Sequence, residues 1–375
     1  MIFVWAIWLP IQILFWLGDL LSGRRNPRGK IVSGSLRQSI TFLRPIKSGA
    51  IDLQSRLAQF VELTESGDQV LFGITADQTE EILICSALSK AGVQIKTVIC
   101  EPDAFPNPKI SKLSQLEKYA RHDLRLLLDT EADLSQDLLN DLLRKSAKGA
   151  AVTAFYGFPA ARNNAQLMDA ISSCCFLWAG TIWTRRLARQ NFVFGACLLF
   201  KKHHLKIIGG WERIGALLAE DYHFGNLLSR QGVRIELADL PLNLVSDPGG
   251  WATYFQHQRR VALTYRVTNR IGYLGSVAIQ ALPLLTFSTI ANPRAGLSLI
   301  LPLILFRSVI HHQILHRLNV DVSFWKIAIV TPGTILTETA TWLLSWFSSS
   351  VQWSQQQYKI TREGTMERYS DRNIS

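Results

Sequence analysis

Apolar and polar positions repeat with different periods along the chain, and the changes of period divide it. "MIFVWAIWLPIQILFWLGDLL" is apolar almost throughout, with roughly 18 apolar-rich residues before Asp19. Such a run is long enough to cross a bilayer. No basic region precedes it and no small-residue cleavage site follows, so residues 1–22 read as an uncleaved transmembrane anchor. Pro10 falls near mid-span, where a kink is tolerated. Arg24, Arg25, Arg28 and Lys30 come next. By the positive-inside rule they hold the following domain in the cytoplasm.

From residue 38 to 250 short apolar runs alternate with amphipathic stretches. "QVLFGI" (69–74), "QIKTVIC" (94–100), "LRLLL" (124–128), "GAAVTAFYG" (149–157) and "FGACLLF" (194–200) predict buried strands. "IDLQSRLAQFVEL", "TEEILICSALSKAG", "LSQLEKYA" and "LSQDLLNDLLRKSA" predict helices between them. The alternation predicts an α/β domain with a largely parallel, doubly wound sheet. Ligands then bind outside the carboxyl ends of the strands.

The pattern changes again over 251–271. "TYFQHQRRVALTYRVTNR" mixes arginines with aromatic and aliphatic residues at helical spacing, as suits an amphipathic helix in the membrane interface. A membrane-associated region, 272–348, has apolar segments near 272–290, 296–310 and 325–347, and a basic tail covers 349–375. Three full spans would put that tail on the side the positive-inside rule disfavours, so one segment is expected to be re-entrant or interfacial. Trp342, Trp346 and Trp353 read as an interfacial aromatic belt. His311, His312 and His316 read as interfacial rather than as a metal cluster. Glu338, inside an apolar run, is either a functional residue or an interface contact.

Composition narrows the partners. The formal net charge is +11, while 48% of residues are hydrophobic and 18% charged. Positive charge with apolar ends favours a bilayer surface or a phosphate-bearing substrate. With neither zinc-finger spacing nor a long basic arm, nucleic acid is not expected as a partner. The five cysteines form no C-x-x-C pair, which argues against a disulfide framework and a zinc site.

The candidate chemistry lies in acids at strand ends. Asp77 follows one buried run, Asp129, Glu131 and Asp133 follow another, and Glu220 with Asp221 occur in "ALLAEDYHFGNLLSRQGV". In a parallel sheet such acids converge on one cleft, and the "DTE" spacing suits a divalent cation held by oxygen ligands, with phosphates completing its shell. The plain alternative is that these acids start helices, where the dipole favours them. Taken alone, the plain reading is the stronger.

The order of motifs changes that. "TFLRPIKSG", "ITADQ", "FPNPKISKL", "LLLDTEADL", "YGFP", "FGACLLFKKHHLKIIGGW", "LAEDYHFG" and "HQRRVALTYR" follow one another. In that order the chain resembles the family-2-like glycosyltransferases and, within them, the ceramide glucosyltransferase-like group (family 21). The similarity runs from about residue 41 to about 270, and loosely beyond. It implies a GT-A type nucleotide-sugar-binding domain, with transmembrane helices at the N- and C-terminal ends. It also implies roles. Asp77 would hydrogen-bond the uridine or ribose, and Lys109 and Arg260 would contact the diphosphate. Asp129 and Glu131 would hold a divalent metal, Mg2+ or Mn2+. Asp221 would be the catalytic base. His257 would join the nucleotide-sugar site, with Glu220 and Gln258 in support. Three positions depart from the pattern: Glu131 for the usual second Asp, Tyr156 for His, and Val261 for the Trp that follows the motif Arg.

The implied activity is transfer of a sugar, glucose in the first place, from a UDP-sugar to a membrane lipid hydroxyl of the ceramide kind, at the surface of the lipid bilayer. A hopanoid lipid accepting N-acetylglucosamine is the near alternative. A processive polysaccharide synthase fits less well, since Val261 and the few spans speak against it. From another class comes a catalytically inactive membrane scaffold.

Overall fold

The computed structural model describes residues 7–21, 37–159, 161–245, 249–353 and 356–369. The basic flank of Arg24, Arg25, Arg28 and Lys30 lies outside the described residues. The anchor run gives α1 (Leu9–Leu21), about 20 Å long at 1.5 Å per residue. That described length falls short of the ~30 Å hydrocarbon layer.

The domain opens with β1 (Ile40–Pro45), α2 (Leu53–Glu62), β2 (Gln69–Ile74), α3 (Thr79–Ser86), β3 (Gln94–Ile99), α4 (Pro108–Glu117) and β4 (Leu124–Leu128). It continues through β5 (Ala132–Asp133), α5 (Gln136–Ser146), β6 (Ala151–Thr153), β7 (Tyr156–Gly157), α6 (Asn164–Leu187), β8 (Cys197–Lys201) and α7 (Lys202–Ile207). It closes with α8 (Glu220–Arg230), β9 (Ile235–Leu237) and β10 (Leu242–Leu244).

Seven strands form one sheet in the order β3-β2-β1-β4-β8-β6-β9. β1, β2 and β4 are buried at every position, as strands covered on both faces must be. On one face α2 and α5 pack Leu57, Phe60, Leu138 and Leu142 against Phe42, Val70 and Leu126. On the other, α4 and α8 pack Leu113, Leu116, Phe224 and Leu228 against Leu43, Leu71 and Leu127. Most neighbours are parallel, but β8 runs antiparallel to both β4 and β6. The start of β8 therefore lies at the edge where β1, β2 and β4 end, and Asp129 donates its N–H to the Ala196 carbonyl at 3.0 Å.

No amphipathic stripe announces α6, because it is packed from several sides. Its residues Ala165, Ile171 and Cys174 share a core with Trp16, Ile314 and Ile327, and Trp183 donates to the Phe15 carbonyl at 2.9 Å. A helix buried all round loses the 3.6-residue contrast.

The remaining elements are α9 (Trp251–Thr268), α10 (Arg270–Gly275), α11 (Ala281–Ala291), α12 (Pro293–Arg317), α13 (Phe324–Ser345), β11 (Ser350–Trp353), β12 (Gln356–Ile360) and β13 (Met366–Arg368). α12 and α13, at 25 and 22 residues, are long and apolar enough to cross a membrane. α12 is thus longer than the expected 296–310 segment. The stretches Arg270–Ile279 and Ala281–Ala291 meet at a 54° bend, where Gln280 is extended.

The tail is not a loose basic extension. β11, β12 and β13 form an antiparallel sheet that returns to the α/β domain. Leu218 N–H donates to the Gly364 carbonyl at 2.9 Å, and Met366 N–H to the Ala216 carbonyl at 2.7 Å. The chain between these paired segments can cross a bilayer only an even number of times, and an α12–α13 hairpin satisfies this.

Three readings from the membrane region change. His311 is not presented at a surface: it is fully buried within the protein, within 3.3 Å of Arg307 and 3.4 Å of Thr331. Glu338 is paired with Arg307 at 2.8 Å. Trp353 leaves the expected belt for the tail sheet, whereas Trp342 and Trp346 pack on Tyr273.

Candidate active site

The turn after β4 carries the "DTE" acids, and buried arginines shape it. Arg44 donates to the carbonyls of Asp129 and Ala132 at 3.2 and 3.0 Å. Arg56 donates to the Thr130 carbonyl at 3.0 Å and pairs with Asp133 at 2.7 Å. The Thr130 hydroxyl donates to the Pro45 carbonyl and accepts from Lys47 N–H. These bonds satisfy a buried turn that has few backbone partners of its own. They also weld it to the "PIK" turn after β1.

The "NPK" segment is a helix start with a second task. Asn107 caps α4, its side-chain oxygen accepting from Lys109 and Ile110 N–H, and Pro108 takes the first-turn position where no N–H is needed. The Asn107 amide donates to the Leu217 carbonyl at 3.0 Å and to Glu220 at 3.3 Å. The cap thus fixes Lys109 at the sheet edge and ties α4 to the start of α8.

Lys109 is the centre of the cleft. Its Nζ lies 2.7 Å from Asp129 Oδ1 and 3.4 Å from Glu220 Oε1, and donates to the Gly195 carbonyl at 2.8 Å. Asp221 Oδ2 accepts from Gly195 N–H at 3.0 Å, while Oδ1 accepts from Tyr222 N–H at 2.7 Å. This crowding disfavours a side chain at Gly195. A Cβ there would sit 3.1 Å from Lys109 Nζ and 3.2 Å from Asp221 Oδ2.

One ammonium pairs with two carboxylates, and the titration of Lys109, Asp129 and Glu220 reflects it. Burial pushes Lys109 down, but Asp129, Glu220 and Asp221 hold it well above the usual lysine range. Burial raises Asp129 despite Lys109, and Glu131 and Asp221 add to the rise. Glu220 is pushed up to about 7 by burial, against Lys109 and with Asp221 and Asp129. The two directions do not conflict. The cation is over-supplied with partners, and Asp129 and Glu220 are under-supplied.

Arg260, on α9, enters the same cleft. Burial lowers its pKa, opposed by Glu220, Asp169 and Glu131. Glu131 itself lies 3.3 Å from Lys47. Asp77 is exposed in the turn after β2, and the Thr75 hydroxyl first of all holds its carboxyl below the usual range. Beneath that turn, Lys112 donates to Gln78 Oε1 at 2.6 Å and to the Ile46 carbonyl at 2.5 Å. Asp77, Lys47, Asp129 and Gly195 thus line up along one edge of the sheet.

The donor set fits a divalent cation. Asp129 and Glu131 are hard oxygen donors on one turn, and the cleft's acids outnumber its cations. Among the described residues no cluster of three or more His, Cys, Asp or Glu side chains is assembled for a metal. An ion here would take two protein carboxylates and draw its other ligands from phosphate and water, the mode Mg2+ favours.

The family model for glycosyl transferase family 21 matches residues 13–366. The chain belongs to this family. A curated relative, ceramide glucosyltransferase 1 of Caenorhabditis elegans, is 24% identical over 210 residues. The match covers 54% of this chain and 44% of that protein, less than half its length. Among solved structures, a mannosyltransferase from Pyrobaculum calidifontis in complex with GDP-Man and Mn2+ superposes with a TM-score of 0.51 at 16% identity. That superposition covers 92% of this chain and 96% of the other. The family 21 domain therefore has the GT-A type α/β fold.

The remaining sequence candidates sit beside the cleft of this family 21 domain. His257 Nδ1 lies 2.8 Å from Asp169 Oδ1, and Gln258 donates to Asp169 at 2.8 Å and Ser173 at 3.1 Å. Both fasten α9 to α6. Tyr156 is stacked on Phe155, and burial keeps its phenol neutral. Sequence reasoning missed Asp169, Arg44 and Arg56, and met Gly195 only as part of the "FGACLLF" motif. Asp169 was hidden because its helix was, and the arginines gave no signal. Asn107 could have been assigned its cap from the Asn-Pro pair alone.

Proposed function

We propose that this chain is an inverting, UDP-sugar-dependent glycosyltransferase that moves glucose to a hydroxyl of a membrane lipid of the ceramide type. The observation that carries the reading is the cleft at the sheet edge. Asp221 is held there by two backbone N–H groups, beside a Lys109 shared between Asp129 and Glu220.

Asp221 is the base. With its carboxylate oriented by Gly195 and Tyr222 N–H, it takes the proton of the acceptor hydroxyl as that oxygen attacks the anomeric carbon. The bond from that carbon to the diphosphate oxygen breaks, its electrons leave with the diphosphate, and one in-line displacement inverts the configuration. A positioned base contributes about 10²–10⁴-fold. Glu220, bonded to Asn107 and Lys109, sets the charge of the cleft rather than reacting. Arg260 offers a planar fork matched to phosphate oxygens. Asp77, at the exposed end of β2, binds the uridine or ribose. A divalent ion on Asp129 and Glu131 would neutralise charge developing on the leaving diphosphate.

The supports for a membrane acceptor are α12 and α13, both of spanning length, and the basic, aromatic α9 between them and the sheet. The tail sheet and the α/β domain share one side of the bilayer, which we take to be the cytoplasmic side. The 38–250 unit is the catalytic domain, 251–271 the interfacial helix and 272–348 the membrane part. The test is transfer from labelled UDP-glucose and UDP-N-acetylglucosamine to ceramide and to hopanoid lipid in mixed micelles with Mg2+ or Mn2+. Glucosylated ceramide formed by the wild type, lost in Asp221→Asn with UDP binding retained, supports the reading. Label on a hopanoid redirects it, label in a water-soluble polymer refutes it, and no transfer from either donor favours a scaffold.

A further inference from the structure

Trp353 ends β11 and stands against the candidate site. The Arg260 guanidinium carbon lies 5.1 Å from the centroid of its ring, within the range of a cation–π contact. Arg260 is surrounded by the charges of Glu220, Asp169 and Glu131. Yet among the described residues its guanidinium makes no ion pair within 4.0 Å. A planar cation pinned on one face keeps its N–H edge free for a ligand.

The sheet that presents Trp353 touches two further segments of the site. Its 364–366 turn pairs with Ala216–Leu218, just before Glu220 and Asp221. Arg368 pairs with Asp103, in the loop that leads to Asn107. Val351, Tyr358, Ile360 and Met366 share a small core with Leu218 and with Leu263 of α9, one turn beyond Arg260. One small sheet therefore holds the approach to α8, the approach to α4 and the α9 surface that carries Arg260.

We propose that the C-terminal sheet is part of the active site, and that Trp353 is a positioning residue holding Arg260 with its donor edge toward the diphosphate of the nucleotide. This rests on the reading of Arg260 as a diphosphate contact. Trp353 acts through Arg260 and needs no contact with substrate.

The test is nucleotide binding by the full chain in detergent with Mn2+, using UDP, GDP and UMP as probes in titration calorimetry. Trp353→Ala should weaken nucleoside diphosphate binding by roughly threefold to thirtyfold, the value of a cation–π contact between exposed and desolvated limits. UMP, which has no second phosphate for Arg260, should bind unchanged. Trp353→Phe keeps a ring face and should keep most of the affinity. Trp353→Leu keeps the apolar packing against the core of Leu218, Leu263 and Val351 and should still behave like Trp353→Ala. In an Arg260→Ala background, Trp353→Ala should add nothing. The inference falls if Trp353→Leu binds diphosphates like the wild type. It falls equally if Trp353→Ala loses UMP and UDP alike, because the sheet would then serve stability alone. A wild type that binds neither UDP nor GDP overturns the nucleotide reading of the cleft, and this inference with it.

Discussion

Lys109 Nζ lies 2.7 Å from Asp129 Oδ1, so the end of β4 and the first turn of α4 meet through one ion pair. Asp129 is under-compensated even so, because burial outweighs the ammonium and Glu131 and Asp221 add to the rise. Lys109→Met would leave Asp129 and Glu220 without their cation. The expected loss is about 3 kcal/mol, the low end for breaking a buried pair, since the Asp129 side chain is 29% exposed. Adding Asp129→Asn should return part of it. Denaturant melts of the purified protein check both. A Lys109→Met protein that melts like the wild type would show that the cation does not hold the cleft.

Glu220 gives the cleft a pH dependence whose sign is fixed. Its folded-state pKa, about 7, stands above the ordinary 4.5. The folded form therefore holds a proton that the unfolded chain has released. The stabilisation from that proton is complete below about pH 4.5 and is lost as pH rises through about 7. In metal-free protein the melting temperature should fall from about pH 5 to about pH 7.5. Glu220→Gln, which mimics the protonated acid, should flatten that slope. An unchanged slope would assign the dependence to other groups.

Gly195 allows backbone, ammonium and carboxylate to crowd together. Gly195→Ala puts a methyl group at 3.1 to 3.3 Å from Lys109 Nζ and Asp221. Either Asp221 loses its Gly195 N–H bond or Lys109 moves. Overpacking of this kind costs about 1–3 kcal/mol. Displacing a reacting group by about 1 Å costs as much as 10²-fold in rate. Turnover should therefore fall further than the stability loss alone would suggest. Single-turnover kinetics beside a thermal melt separate the two, and full turnover in Gly195→Ala would show that the added methyl group does not displace Asp221.

Much of this site was legible before the fold was known, for a physical reason. Apart from Gln69 and Arg125, β2 and β4 are apolar runs bounded by polar turns, so their ends, and with them Asp77 and Asp129, could be placed from sequence. Glu220 and Asp221 were readable as a helix start. The direction of β8 was not readable, because a buried strand looks the same either way round. That direction is what brings Gly195 to the cleft. α6 is buried on several sides and left no stripe, so Asp169 had no place. Trp353 was grouped with Trp342 and Trp346 by spacing, and only the pairing of the tail with Ala216–Leu218 separates it from them.

Arg307 and Glu338 join the two helices of spanning length. Arg307 is fully buried and donates to both Glu338 oxygens, at 2.8 and 3.0 Å. Its guanidinium carbon lies 3.8 Å from the centre of the Trp16 ring of α1, and its Nε 3.3 Å from His311 Nε2. Three helices therefore meet at one cation. Charges in an apolar bundle persist only when paired. Removing one partner leaves the other unpaired, so Arg307→Met should cost about 3–5 kcal/mol. Removing both need not, because apolar side chains of similar volume repay the desolvation. The Arg307→Met, Glu338→Leu double variant should recover most of the loss, and can equal the wild type. Unfolding in rising detergent denaturant, read by helix content for the wild type, each single variant and the double, measures the cycle. Additive losses in the double variant would mean that the two charges do not act as a pair.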